Sequence, residues 1–260
     1  MIWRRLSGLM YLAVALSAST GIAQQMSTTI HGSSEYLSAA LKAEQADLMQ
    51  NRGMLWVDQG TALWNEAQGI EQKSCASCHG EPQASMRGVA ARYPMVDPAS
   101  GHLLNLEARI NQCRTERQHA RALSYETNEL LGLTALVALQ SRGMPVAVRT
   151  DGAAAPFNEI GRTLWQQRQG QLNLSCAQCH DANVGRKLRG DTISSGINTG
   201  YPAYRLEWQG LGSFHRRLRA CQLGVRAIQF PQGAPEYLAL ELYIASRARG
   251  LPVEAPALRR

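Results

Sequence analysis

Cys75-Ala76-Ser77-Cys78-His79 and Cys176-Ala177-Gln178-Cys179-His180 are two copies of C-x-x-C-H in a chain of 260 residues. This pattern is the attachment signature of c-type haem. With six cysteines and six histidines in the chain, about 0.003 such matches are expected by accident, so two are a signal. Two thiols three positions apart reach the two vinyl groups on one edge of a porphyrin, and the adjacent histidine falls under the iron as proximal ligand. A thioredoxin-like redox pair or a zinc site also uses paired cysteines. Neither accounts for a histidine directly after each pair, and a zinc ribbon would keep its four ligands close together.

Outward from these motifs the chain repeats itself. Gly60-Thr61-Ala62-Leu63-Trp64 lies fifteen residues before Cys75, and Gly161-Arg162-Thr163-Leu164-Trp165 lies fifteen before Cys176. Tyr93-Pro94 and Tyr201-Pro202 follow the motifs, and twenty residues beyond each Tyr stands a lone cysteine, Cys113 or Cys221. Each copy closes on an apolar helical stretch, Leu130 to Arg142 or Glu236 to Arg249. Gly143-Met144-Pro145 and Gly250-Leu251-Pro252 then supply the usual stop. Each module therefore predicts a helix, the haem motif, a long irregular loop, a short helix carrying the cysteine, and a terminal helix. That order resembles the class I cytochrome c fold, and the expected fold class is all-α, two tandem cytochrome c-like domains with one covalent haem each.

The expected organisation is a signal peptide over 1–23, an N-terminal extension over 24–53, and a first domain over 54–148. A linker over 149–156 and a second domain over 157–260 complete it. The leader rests on Arg4 and Arg5 before the apolar run Leu9 to Leu16, with Gly21-Ile22-Ala23 as cleavage site. A membrane anchor needs about 20 apolar residues, more than this run offers. No later segment is apolar enough to span a bilayer, so an exported, periplasmic protein without a membrane span is expected. The extension, outside the repeat, predicts a helix packed across the modules or an arm facing a partner. Aromatic residues are only 6%, with three Phe, so haem is expected to fill part of each core. The net charge of +7 forms no block that argues for nucleic acid. Haem propionates and thiolate ligands would balance most of it.

The usual sixth ligand of a cytochrome c is a downstream Met. The second copy has no Met, the last in the chain being Met144; no Met stands opposite Met86, and Met95 aligns with Ala203. His215 aligns with Glu107. Cys113 and Cys221 are the potential iron ligands that recur at matching places. Thiolate ligation would favour Fe(III), low potentials and low-spin ferric spectra. A Cys113–Cys221 disulfide and two inert buried thiols are the alternatives. Arg109 and Arg217 each stand four residues before the cysteine, on the same helical face. The second copy adds Arg216, Arg219 and Arg226, and seven extra residues between its His and its Tyr-Pro, a Gly/Ser/Thr loop expected to shape an opening. The second haem is thus the better candidate for chemistry on a small anion.

The leader, the two haem motifs, the recurring cysteine and the run Arg217-Leu218-Arg219-Ala220-Cys221-Gln222-Leu223-Gly224-Val225-Arg226-Ala227 together resemble the dihaem SoxA subunits of SoxAX cytochromes. The resemblance covers essentially the whole mature chain. It implies an L-cysteine S-thiosulfotransferase that oxidatively joins thiosulfate to a cysteine of a SoxYZ-like carrier, passing two electrons to a c-type cytochrome acceptor. It also implies a SoxX-like monohaem partner. By position, Cys221 matches the active-site cysteine, described in the family as a persulfide, and Arg217 the substrate-binding arginine. Two covalent haems are then expected, on Cys75 and Cys78 and on Cys176 and Cys179. His180 and Cys221 would ligate the catalytic iron, His79 and Cys113 the other. The rival readings are a thiosulfate dehydrogenase that makes tetrathionate and a plain electron-transfer dihaem cytochrome.

Overall fold

The computed structural model describes residues 29–260; the expected signal peptide lies outside them. A short 3-10 turn, Ser33–Tyr36, and helix α1 (Ala39–Ala46) precede the first module. That module comprises α2 (Met54–Asn65), α3 (Cys75–His79), α4 (Pro82–Ser85), the strands β1 (Met95–Val96) and β2 (Leu103–Leu104), α5 (Leu106–Arg117) and α6 (Asn128–Leu139). The second repeats the plan with α7 (Ala155–Gln166), α8 (Cys176–His180), β3 (Lys187–Leu188), β4 (Asp191–Thr192), β5 (Ala203–Arg205), β6 (Gly210–Gly212), α9 (Phe214–Gly224) and α10 (Pro235–Arg247). Strand β7 (Ala257–Arg259) ends it. The helices carry the fold as expected, and among the described residues no strand exceeds three residues.

In each module the first and last helices cross at a residue without a side chain. A Cβ on Gly60 would lie 2.2 Å from the Gly132 carbonyl oxygen, and one on Gly161 would lie 2.1 Å from that of Ala239. Only glycine lets the two backbones come this close. The α-helices end short of the expected Arg142 and Arg249, at Leu139 and Arg247, and a last turn of i→i−3 bonds leads to Gly143 (φ +79°) and Gly250 (φ +80°), which take the left-handed conformation.

The modules share one apolar seam. Ala91, Leu103 and Ala138 of the first pack with Ile197, Leu238, Leu242 and Ala245 of the second, and Val146 and Val148 from the connecting segment join them. A small sheet of the second module, in the order β6-β5-β7, leans on the first. In it Ala203 pairs antiparallel with Gly212 and parallel with Ala257, while Tyr204, Leu211 and Leu258 enter the core built by Val57, Leu131 and Leu136. The N-terminal extension packs across both modules: from the first, Arg142 Nη2 donates to the Gln45 carbonyl at 2.5 Å. Leu258 N and Arg259 Nη1 donate to Gln45 Oε1 at 3.0 and 2.7 Å, and Tyr36 Oη lies 2.9 Å from Ser195 Oγ.

Candidate functional site

The two haem motifs are single helical turns started by serine. Ser74 Oγ accepts from Ser77 N, and Ser175 Oγ accepts from Gln178 N while Gln178 Oε1 accepts from Ser175 N. Each cap orders the turn that presents two thiols and a histidine. Behind each histidine stands the repeated tryptophan. Trp64 packs 5.8 Å from the His79 ring and donates to the Gly80 carbonyl at 2.9 Å. Trp165 lies 5.8 Å from His180 and donates to Asp181 Oδ2 at 2.8 Å.

The lone cysteines ride on α5 and α9, whose first turns are fixed by side chains of equivalent residues. Asn105 Oδ1 accepts from Ala108 N, and Ser213 Oγ from Arg216 N. Cys113 and Cys221 follow eight residues later, and all six cysteines are free. Cys113 comes close enough to Cys75 for their charges to interact, as Cys221 does to Cys176 and Cys179. Each lone cysteine thus faces the motif of its own module. Burial pushes the Cys75 thiol up, and that of Cys176 up to about 12.

Cys221 is different. Burial alone would raise its thiol, but the charge of the Arg217 guanidinium, with that of Arg205, pulls it down. Its charge in turn holds Arg217 protonated. Arg217 pairs with no carboxylate among the described residues, whereas Arg109 lies 3.7 Å from Asp97 and donates to Gln112 at 2.7 Å. Where the first repeat has Asp97, the second has Arg205, whose charge also favours the Cys221 thiolate. The anion-attracting field belongs to the second module.

The loop after His180 differs from the expectation. Instead of shaping an opening, residues 194–197 fold onto the histidine. Gly196, at φ +65°, lies so near the imidazole that a Cβ would sit 2.6 Å from Cγ, and Ser195 is fully buried. The Ser194 carbonyl is 2.8 Å from His180 Nδ1. A carbonyl only accepts, so Nδ1 carries the proton and Nε2 is left as a lone-pair donor. A Gly/Ser run is compatible with a loose loop or a close approach, and only the fold distinguishes them.

These residues fit a covalent c-type haem. Each module opposes two vinyl-reaching thiols and a histidine to a lone sulfur, and in the second the histidine tautomer is the one that binds iron. The first module's His79 is exposed. Where the repeats abut, Glu107, Tyr125, His215 and Glu241 form a second, buried group. His215 Nε2 is 3.0 Å from Glu241 Oε2, and its ring stacks on Tyr125.

Residues 59–146 and 160–253 match the family described as SoxA/TsdA, cytochrome c domain. The chain belongs to the SoxA/TsdA cytochrome c family. Like other members of a cytochrome c family, it carries covalently bound c-type haem. It is 41% identical over 218 residues, 84% of the chain and 76% of the relative, to L-cysteine S-thiosulfotransferase subunit SoxA of Rhodovulum sulfidophilum. To the protein of the same name from Paracoccus pantotrophus it is 39% identical over 231 residues, 89% of the chain and 79% of the relative. The fold superposes on a chain in the crystal structure of SoxXA from P. pantotrophus with a TM-score of 0.86 at 38% identity, covering 89% of this chain and 87% of that one. The resemblance to SoxA subunits drawn from the motifs is thus borne out. Sequence reasoning quoted Trp64, Trp165, Gly60 and Gly161 as marks of the repeat without giving them roles. Arg205 and Arg247 went unnoticed, although alignment of the repeats exposes both as changes of charge.

Proposed function

We propose that the chain is the dihaem subunit of an L-cysteine S-thiosulfotransferase, acting in the periplasm with a SoxX-like monohaem cytochrome and a SoxYZ-like carrier. The observation that carries this reading is the meeting of Cys221, His180 and an unpaired Arg217 in the second module. Haem on Cys176 and Cys179, held by His180 and Cys221, would take electrons from the bound sulfur. A second haem belongs on Cys75 and Cys78 with His79 and Cys113.

Arg217 binds the sulfonate end of thiosulfate and holds its outer sulfur against the Cys221 sulfur. Linking two sulfur nucleophiles releases two electrons, which leave toward the c-type cytochrome acceptor. The carrier thiolate then attacks the outer sulfur of the attached thiosulfate, and Cys221 departs as thiolate. The neighbouring Arg217 cation stabilises the departing thiolate, and the proton lost is the carrier thiol's own.

The test is to incubate the purified holoprotein and partner with thiosulfate and oxidised acceptor cytochrome, with and without carrier. The expected product is a thiosulfate adduct on the carrier cysteine by mass spectrometry, with acceptor reduction that requires the carrier. Tetrathionate formed without carrier would instead assign the protein as a thiosulfate dehydrogenase.

A further inference from the structure

Arg247, near the end of α10, reaches Asp181, Trp165 and the loop folded over His180. Its Nη1 is 2.6 Å from Asp181 Oδ1, and its guanidinium lies 4.1 Å above the centre of the Trp165 ring. Its Nη2 donates to the Ser195 carbonyl at 3.2 Å and approaches that of His180 at 3.5 Å. Asp181 closes the arrangement by accepting from Trp165 Nε1. One side chain thus ties the histidine turn, the tryptophan behind it and the loop folded over it.

The first module lacks the whole device. Gly80 stands where the second has Asp181, and Gln140 where it has Arg247. Trp64 donates to a backbone carbonyl instead, and Gln140 turns back to the Leu136 carbonyl of its own helix at 2.9 Å.

We propose that Arg247 is a positioning residue for the second haem: by holding the Ser195 carbonyl and Asp181 it keeps the adjacent Ser194 carbonyl on His180 Nδ1. That hydrogen bond fixes the tautomer and ring orientation and makes Nε2 a stronger donor to iron, which favours the ferric state. A planar, bidentate and stacking cation is required, and arginine meets all three needs at once. The inference rests on the reading of His180 as an iron ligand.

The experiment compares the wild-type holoprotein with Arg247→Gln, which installs the first module's residue, and with Arg247→Lys. Haem content on the Cys176/Cys179 peptide, low-temperature EPR of the ferric haems and a redox titration are measured on each. For Arg247→Gln we expect full haem content, a higher midpoint potential and altered g values for the second haem, and an unchanged first haem. Arg247→Lys, which keeps the charge facing Asp181, should recover part of the shift. An unchanged second haem in the Gln variant overturns the proposal, and so does an equal shift in both haems. If Arg247→Gln does not accumulate, Asp181→Asn removes the same anchor while leaving Trp165 an acceptor, and the same shift is required of it. A wild-type spectrum without histidine–thiolate ligation at the second haem would refute the underlying assignment of His180 and Cys221. A normal wild-type spectrum with an unresponsive variant refutes only the role of Arg247.

Discussion

Arg109 and Arg217 occupy the same place on equivalent helices, four residues after a capping Asn105 or Ser213 and four before a lone cysteine. Their surroundings separate them. Arg109 answers to Asp97 and Gln112, while Arg217 faces Cys221 and has Arg205 where the first module has the acid. What the modules share is packing: the glycine crossings and the tryptophan behind each histidine. What they do not share is charge. A duplicated scaffold has kept its mechanical parts and changed a few ionic ones, so that the arginine before the lone cysteine is paired with a carboxylate in the first module and not in the second, among the described residues.

The largest test of that division is removal of the lone sulfur. Cys221→Ala should cut carrier conjugation by about 10³-fold or more, whereas Cys113→Ala should leave most of it, measured as adduct formed per minute. Comparable losses in both variants would erase the distinction between the modules. Next comes the arginine pair. Arg217→Ala should lower kcat/KM for thiosulfate by about 10²- to 10³-fold, and Arg109→Ala, already neutralised by Asp97, by less than about tenfold. Steady-state rates at fixed carrier concentration decide it.

The shared parts should fail alike. Gly60→Ala and Gly161→Ala each drive a methyl into a backbone carbonyl, so each should cost about 1–3 kcal/mol and lower the melting temperature by several degrees. A tolerated Gly161→Ala beside a damaging Gly60→Ala would mean that the two crossings are not equivalent.

The mildest effect lies where Glu107 and its repeat counterpart His215 meet. Burial and the neighbouring Glu241 push Glu107 up to about 7 from an ordinary 4.5, against the pull of His215. Burial alone would lower His215, but Glu241, Glu107 and Glu126 leave it above its ordinary 6.5. Between pH 4.5 and 7 Glu107 therefore holds its proton in the folded protein and loses it in the unfolded one, so its contribution to stability falls as pH rises. His215 acts in the same direction, because the stability it contributes below 6.5 is lost as pH rises through its higher folded value. Denaturant titrations across this range should show the slope, and Glu107→Gln should flatten it.

Much of this architecture was legible beforehand because covalent chemistry leaves a rigid spacing. Cys75, Cys78 and His79, and their second copies, could be located by motif, and Cys113 and Cys221 by the repeat. The Gly143 and Gly250 stops followed from backbone conformation alone. Contacts between distant residues were not legible. Nothing near Asp181 in the sequence indicates that Arg247 will reach it, and the run at 190–200 has the composition of an open loop until Gly196 is seen pressed on His180. The short strands were missed for a related reason: two- or three-residue pairings such as Ala203 with Ala257 have no period to detect.

The N-terminal extension acts as a strap across the second module. His31 and Tyr36 hold Ser195 across separations of 164 and 159 residues, and Ser34 donates to Glu254 across 220. Contacts this far apart in sequence carry a large loop-closure cost, which the packed modules must offset. The arm and Arg247 grip the same residue, one at its hydroxyl and the other at its carbonyl, so the turn over His180 is clamped from both sides of the chain.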